Sequence, residues 1–314
     1  ALMQVFVAWY LHLGASEIFL FFDRPDDPAA ELVAAIPGVH VIRCDAAHWA
    51  RLARRRPERH QVRQARNATD AYRRMGADWL LHVDADEYLW PAQPVCACLD
   101  GADGLVVPVA EHVHLTKDPA TVFDGAYRRP YPGKATEGRG VFGPDFALTS
   151  RGLTGHALGK SFVRAGRPLT MSIHRPRPRG VGELAMSRAA GMELLHFDGL
   201  TPLHWVYKLL RKANAVADHD GMPPSPHRAR QMAAILDDPT AAFALHDRLK
   251  RPGPALQQQL TALNLWLVVP FDPHAVVVEV FSGRRVDVSP QAIDAWLWAQ
   301  KSALLRKFGL RPAG

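Results

Sequence analysis

The chain is poor in cysteine, with 3 in 314 residues. Cys44, Cys96 and Cys98 are too few and too unevenly spaced for a disulfide framework or a four-ligand zinc site, and this usage fits a reducing cytoplasm. Long apolar runs are also missing. Ala1 to Leu13 is apolar but carries His12 and stops at Gly14, short of the roughly 20 residues that span a bilayer. It has neither a basic head nor a cleavage site, so it does not read as a signal peptide. Lysine is scarce, since 30 of the 38 basic residues are arginine. Aromatics make up 9% of the chain and are not interleaved with the basic runs, so the net charge of +7 does not mark a single-strand nucleic-acid binder. No internal repeat is visible.

What is present is a chain long enough to bury a full core, 48% hydrophobic and 22% charged, which reads as globular. Its most informative stretch is Trp79 to Tyr88, WLLHVDADEY. A short apolar run after Gly76 fits a buried strand, and the acids fall where that strand leaves the sheet, the place where open α/β sheets bind ligands. In an extended segment His82, Asp84 and Asp86 share one side. Two converging carboxylates raise each other's pKa unless a cation separates them. Hard oxygen ligands suit Mg²⁺ or Mn²⁺, and Mg²⁺ is commonly held by one or two carboxylates plus substrate phosphate, so the implied ligand is a diphosphate. The plain alternatives are acids that cap a helix or pair with arginine.

The first half alternates helix and strand patterns. Ala1 to Leu13 reads as a helix closed by Gly14, Glu17 to Asp23 as a strand, and Asp27-Pro28 as the capped start of a short helix to Ile36. Val39 to Cys44 is the next strand, Pro57 to Met75 has helical spacing, and WLLHV is the third visible strand. That order predicts a mostly parallel sheet. Opening on a helix, the chain lacks the strand expected ahead of it, and Ala1 is not an initiator methionine, so a truncated first strand is expected. Leu105 to Ala110 reads as a strand and Thr116 to Gly159 as a long irregular stretch of functional type. Strands are expected at Ser161 to Arg164, Thr170 to His174 and Leu194 to Phe197, followed by a helix at Pro202 to Ala217 and a proline-rich linker at Met222 to Pro226. Beyond it come helices at Pro226 to Leu236, Pro254 to Val268 and Ser289 to Phe308, and a strand at Ala275 to Phe281.

Gln64-Ala65-Arg66-Asn67, the helix ending at Gly76 and WLLHVDADEYL together resemble the metal-binding core of glycosyltransferase family 2, which has the GT-A fold. The likeness is to a bacterial branch with a D-x-D-E-[FY]-L motif. WYLHLGASEIFLFFD, GKSFVRAGRPLTMSIHRP and LLHFDGLTPLHWVYKLLRK resemble the same branch, so the likeness covers about residues 1–215. It implies an α/β, GT-A-type doubly wound sheet over 1–215 and a mostly helical extension over 216–314. The implied activity is metal-dependent transfer of a sugar from a nucleotide-sugar donor to a glycan or lipid-linked acceptor, in cell-surface polysaccharide or glycolipid synthesis. The implied location is cytoplasmic, peripheral at the inner membrane face.

Residue by residue, the resemblance implies that Asp84 and Asp86 hold Mn²⁺ or Mg²⁺ against the donor diphosphate, with His174 and His196 as further metal ligands. Asp23 would stand beside the nucleoside, Arg66 and Asn67 would approach the donor, and Lys160 and Lys208 would meet phosphate. Each has a bland counterpart: a capping acid, a solvated basic face of Arg59, Arg63 and Arg66, or a structural histidine. Asp145 is the expected catalytic base, with Asp198 and Glu111 as alternatives. Two rival functions remain: a non-catalytic nucleotide- or sugar-binding module on the same scaffold, and a phosphohydrolase with an aspartate nucleophile. The second fits less well, because such a motif belongs on the first strand and Tyr88 fills the place of its Thr or Val.

Overall fold

The computed structural model of the chain describes residues 1–99, 103–180, 183–217 and 223–312. In chain order the elements are α1 (Leu2–His12), β1 (Ile18–Phe22), β2 (Val39–Arg43), α2 (Ala46–Ala53), α3 (His60–Arg74), β3 (Trp79–Leu81), β4 (Glu87–Pro91), α4 (Val95–Cys98), β5 (Gly104–Val107), β6 (Val109–Val113), β7 (Ala126–Arg128) and α5 (Ala135–Phe142). They continue with β8 (Lys160–Arg164), β9 (Leu169–Thr170), β10 (Arg177–Pro178), β11 (Met186–Arg188), β12 (Met192–His196), α6 (Pro202–Ala217), α7 (Pro226–Asp237), α8 (Ala242–Lys250), α9 (Pro254–Ala262), β13 (Trp266–Leu267), α10 (Val277–Val280) and α11 (Pro290–Lys307). Short 3-10 turns lie at Pro28–Ala30, Gly143–Leu148 and Pro239–Ala241. The protein is a mixed α/β chain. None of its described helices is long and apolar enough to cross a membrane.

By packing, the chain forms two units that interleave along the sequence. The first comprises Ala1–Pro108, Leu158–Leu194 and Asp272–Val286; the second comprises Val109–Ala157, Leu195–Phe271 and Asp287–Gly314. This partition differs from a cut at residue 215: α6 and the helices after the proline-rich segment, α10 excepted, fall in the same unit. Met222 of the expected linker lies outside the described residues, and Pro226 already begins α7.

In the first unit α1 is apolar on nearly every side, and Val5, Phe6, Val7, Ala8 and Trp9 are buried. Its polar tips fasten it to β4. The Trp9 indole N–H donates to the Leu89 carbonyl (2.9 Å), and the Tyr10 hydroxyl donates to the Glu87 carbonyl (3.0 Å) while accepting from the Leu89 amide (3.2 Å). β1 and β2 pair in parallel, with Ile18 opposite Val39. A separate sheet has the order β11-β5-β8-β3, in which β8 is antiparallel to both neighbours and only β11-β5 is parallel. The expectation of a mostly parallel sheet is therefore corrected. β3 and β5 are joined through a strand delivered from much later in the chain, which local order could not reveal. α3 presents Ala68 and Tyr72 to a small core with Val163, Leu169 and Met171.

In the second unit β6, β7 and β13 form antiparallel ladders. α6 is the central helix; its Trp205, Leu209 and Leu210 pack with Met232 and Ile235 of α7 and Leu245 and Leu249 of α8.

Several other expectations shift for physical reasons. Leu105 to Ala110 is not one strand, because Pro108 has no N–H for a ladder and separates β5 from β6. Thr170 to His174 contributes only the end of β9. Ala275 to Phe281 is not a strand: its β-branched run contains the single helical turn α10, with Val277 fully buried, so tertiary packing overrides propensity. α2, capped by Asp45, whose side chain accepts from the His48 amide at 2.8 Å, together with α5 and α8, interrupts stretches read as irregular or left unassigned.

A Cβ at Gly159 would overlap the Val107 carbonyl, whereas one at Gly140, inside α5, meets nothing within 4 Å. Gly159→Ala is expected to lower the melting temperature sharply, while Gly140→Ala should leave it unchanged or raise stability by about 0.5–1 kcal/mol. Calorimetry of the two variants checks this; equal effects would contradict the packing described.

Candidate functional site

The acid motif is built by a turn, not by a continuing strand. β3 ends at Leu81, and the Glu87 amide donates to the Asp84 carbonyl (3.0 Å), closing a turn with Ala85 and Asp86 at its tip before β4 begins. The expectation that His82, Asp84 and Asp86 line one side of an extended segment is corrected, because alternation applies only within a strand. The Glu87 carboxylate folds back to accept from the Asp84 amide at 2.8 Å. Glu87 is thereby fully buried.

Lys160, the first residue of β8, reaches this turn. Its ammonium lies 2.9 Å from one Asp84 oxygen and 3.3 Å from Glu87, and it is itself fully buried. The other Asp84 oxygen accepts from the Gln64 amide of α3 at 2.8 Å. Burial would push the Asp84 carboxyl up, but the Lys160 ammonium outweighs it and holds the group below the usual carboxylate range. Burial likewise acts to lower Lys160, and the charges of Glu87 and Asp84 reverse that and raise it. The result is an ionised Asp84 gripped at both oxygens and only 29% exposed, with Asp86 half-buried beside it.

The remaining expected donor residues of this unit have the following positions. Asp23 accepts from Arg63 through two bonds (2.7 and 2.8 Å) and from Arg56 (2.8 Å). Burial works against its ionised form, and the two guanidinium groups prevail, leaving its pKa lowered. Arg66 is exposed and donates to the Leu52 carbonyl at 3.1 Å. Asn67 points the other way: it is buried, with its side-chain oxygen 2.9 Å from the His48 ring and its amide 3.5 Å from the Cys44 sulfur. The His174 Nδ1 lies 3.2 Å from the Gly159 carbonyl. Among the described residues no three or more His, Cys, Asp or Glu side chains are grouped as a metal would require, so Asp84, Asp86, His174 and His196 are not gathered into such a set.

His196 belongs to the second unit, where its ring stacks on His156 (4.7 Å between centroids). This unit carries a buried charge cluster that the sequence pointed to through its two acids and through Lys208, which lies beside Asp198. Glu111 on β6 is fully buried; it accepts from the Thr154 amide (2.7 Å), the Thr154 hydroxyl (2.9 Å) and the Gly155 amide (2.6 Å). Arg128 of β7 lies 3.3 Å away and the Lys250 ammonium 3.6 Å. Asp198, also fully buried, is paired with Arg228 of α7 and lies 3.4 Å from Lys208 of α6. Burial would raise both carboxyls, yet Lys250 and Arg128 hold Glu111 well down, and Arg228 and Lys208 do the same for Asp198. Fully buried and met by donors from within the protein, Glu111 is a structural anchor and not a proton acceptor for a substrate. Asp145 stands apart in the turn before β8, 31% exposed and bonded to Arg248 (2.9 and 3.2 Å). The signal for the cluster was a charged residue inside an apolar strand, Glu111 in VVPVAEHV; its partners came from distant elements.

A scan against protein-family models and searches of curated proteins and of solved structures found no match to this chain.

Two outcomes follow. Lys160→Met leaves Asp84 and the buried Glu87 without their cation, so a loss of about 3–5 kcal/mol is expected in denaturant unfolding. A loss below ~1 kcal/mol would mean that Lys160 does not hold the turn. The second outcome concerns pH. Burial, reinforced by Lys250, lowers His112 to about 3 and His246 to about 4. In the unfolded chain these rings titrate near 6.5, so the unfolded state binds more protons and stability falls with pH. That contribution is complete above about 6.5 and is lost as pH drops toward 4–3. The melting temperature should decline from pH 7 to pH 4, and His246→Phe should flatten the decline; an unchanged slope would remove His246 from the effect.

Proposed function

We propose that the protein is a metal-dependent glycosyltransferase of GT-A type and that the acid turn is its nucleotide-sugar donor site. The observation that carries this reading is the pairing of Asp86 with an Asp84 kept ionised and oriented by Gln64 and Lys160. The turn follows the end of β3 and leads directly into β4. Support for a doubly wound GT-A arrangement comes from α1 followed by the parallel β1-β2 pair.

The donor set fits Mn²⁺ or Mg²⁺ in kind: two hard carboxylates one residue apart, each Asp84 oxygen keeping a lone pair beyond its one hydrogen bond. With no third protein ligand grouped there among the described residues, the ion's other positions fall to water and substrate phosphate. Asp84 and Asp86 would hold it, and when bound it neutralises charge on a nucleoside diphosphate leaving group. The chain's own residues do the rest. Lys160 keeps Asp84 ionised, Gln64 fixes its rotation, and the buried Glu87 closes the turn so that Asp86 does not swing away. In this reading Asp23, held by Arg56 and Arg63, stands on the nucleoside side, the acceptor is a glycan or lipid-linked glycan, and the enzyme works at the cytoplasmic membrane face.

A non-catalytic nucleotide-binding module is the second reading, favoured by one observation: the Lys160 ammonium already neutralises Asp84. Thermal shift with UDP, GDP and dTDP, each with and without Mn²⁺, separates the two. A ligand at 100 times its Kd adds about 2.7 kcal/mol. The transferase reading expects a shift that needs both nucleotide and metal and that Asp86→Asn abolishes. A nucleotide shift indifferent to Mn²⁺ and to Asp86→Asn supports the binding module, and no shift with any nucleotide rejects both.

A further inference from the structure

The first unit also carries a groove of about 670 Å³ along α3, whose lining includes Arg66 and His174, residues that the resemblance gave to the donor and the metal. α3 lines one side with Gln61, Ala65, Arg66, Thr69 and Arg73; the opposite wall is Thr170 to His174, continued by Arg177 and Arg179. Its wall is tied to the acid turn through single residues, since His82 Nδ1 lies 3.2 Å from the Ser172 carbonyl and the Ser161 hydroxyl donates to the His174 carbonyl at 2.8 Å.

Some arginines of this unit are met by acids, whereas among the described residues those of this groove, like Arg54, Arg55, Arg59 and Arg188 outside it, are not. Arg43 is paired with Glu31, Arg51 and Arg74 with Asp70, Arg56 and Arg63 with Asp23, and Arg167 with Asp103. By contrast, Arg73, Arg177 and Arg179 form no side-chain hydrogen bond or ion pair with the described residues, and Arg66 reaches only the Leu52 carbonyl. Asp70, the one acid on the lining, is already held by Arg51 and Arg74. Four guanidinium groups without carboxylates thus surround a groove whose apolar lining includes Val62, Ala65, Met171 and Ile173. Guanidinium is suited to planar, two-point recognition of carboxylate and of phosphate.

Spacing and composition select the anion. Arg66 and Arg73 are seven positions apart on one helix, hence about 10.5 Å along its axis and on the same side. A helical nucleic-acid strand presents a phosphate about every 3.4 Å. Single strands also need aromatic platforms, and among the described residues no Phe, Tyr or Trp lines the groove. A sugar polymer bearing one carboxylate on alternate residues suits both features: widely spaced charges for the arginines, and C–H ring faces for the apolar lining.

We propose that this groove binds an acidic, uronate-bearing glycan chain. The proposal names the acceptor class of the transfer described above and to that extent rests on it; the binding itself requires neither nucleotide nor metal. The test is fluorescence anisotropy with the full chain and labelled hyaluronan oligosaccharides, which carry a carboxylate on alternate sugars, at physiological ionic strength without nucleotide or Mn²⁺. Carboxyl-reduced hyaluronan, inorganic polyphosphate and oligo-dT serve as competitors. Saturable binding is expected, displaced by none of the three, and weakened at least about tenfold, or 1.4 kcal/mol, in Arg66→Gln/Arg73→Gln and in Arg177→Gln/Arg179→Gln. Arg306→Gln, an exposed arginine of the second unit, should leave it unchanged. Absence of binding, equal displacement by polyphosphate or oligo-dT, or indifference to both groove variants overturns the proposal. A nucleotide- and metal-dependent thermal shift alongside absent glycan binding would leave the donor reading standing, and the reverse result would leave only the groove.

Discussion

A buried ammonium cannot be left alone. Lys160 has no exposed surface, and removing its charge from water costs several kcal/mol unless carboxylates accompany it. That constraint ties three parts of the first unit into one arrangement. β8 must bring the lysine, the turn after β3 must bring Asp84 and Glu87, and α3 must bring Gln64 to the oxygen that Lys160 does not take. The antiparallel pairing of β8 with β3, Leu81 opposite Phe162, sets the register that makes this meeting possible. α1 adds a clasp from the other side by bonding the backbone of Glu87 and Leu89.

The second unit meets the same constraint with charges of both signs buried. There Glu111, Asp198 and Lys250 are all fully buried, and Arg128, Arg228 and the amides of Thr154 and Gly155 meet the carboxylates. The two clusters differ in what they leave for a ligand. Glu111 has no exposed surface and the donors that meet it all come from within the protein, which makes that cluster a structural fastening. At the acid turn Asp84 keeps 29% of its side-chain surface and has Asp86 next to it, so chemistry is assigned there.

Legibility in the sequence followed the range of the interactions. α1, β1, β2, α3 and α6 were readable because their signals are local, namely apolar periodicity and the Gly14 stop with its positive φ of 89°; Asp27 does cap at Pro28, accepting from the Ala29 amide at 3.0 Å, but the helix expected to Ile36 is only a 3-10 turn to Ala30. The sheet order was not readable, since β8 enters between β3 and β5 from far along the chain. The helical turn at Val277 was hidden because its residues favour strands in isolation. Asp84 and Asp86 were recognisable from spacing alone. That Asn67 faces Cys44 and His48 while its neighbour Arg66 faces out could be known only once α3 was docked on one face.

By itself, then, the sequence determined a mixed α/β chain, the helices and strands with local signals, and a pair of aspartates one residue apart behind an apolar run, because those depend on side-chain chemistry and short-range periodicity. The tertiary structure decided the rest: that the motif is a turn and not a strand continuation, that Lys160 is its cation, that Glu111 and Asp198 are structural, and that four arginines share one groove. Each of these depends on which distant segments are brought within a few ångströms. Charge and burial enforce that choice, and neither is written in any single stretch of the chain.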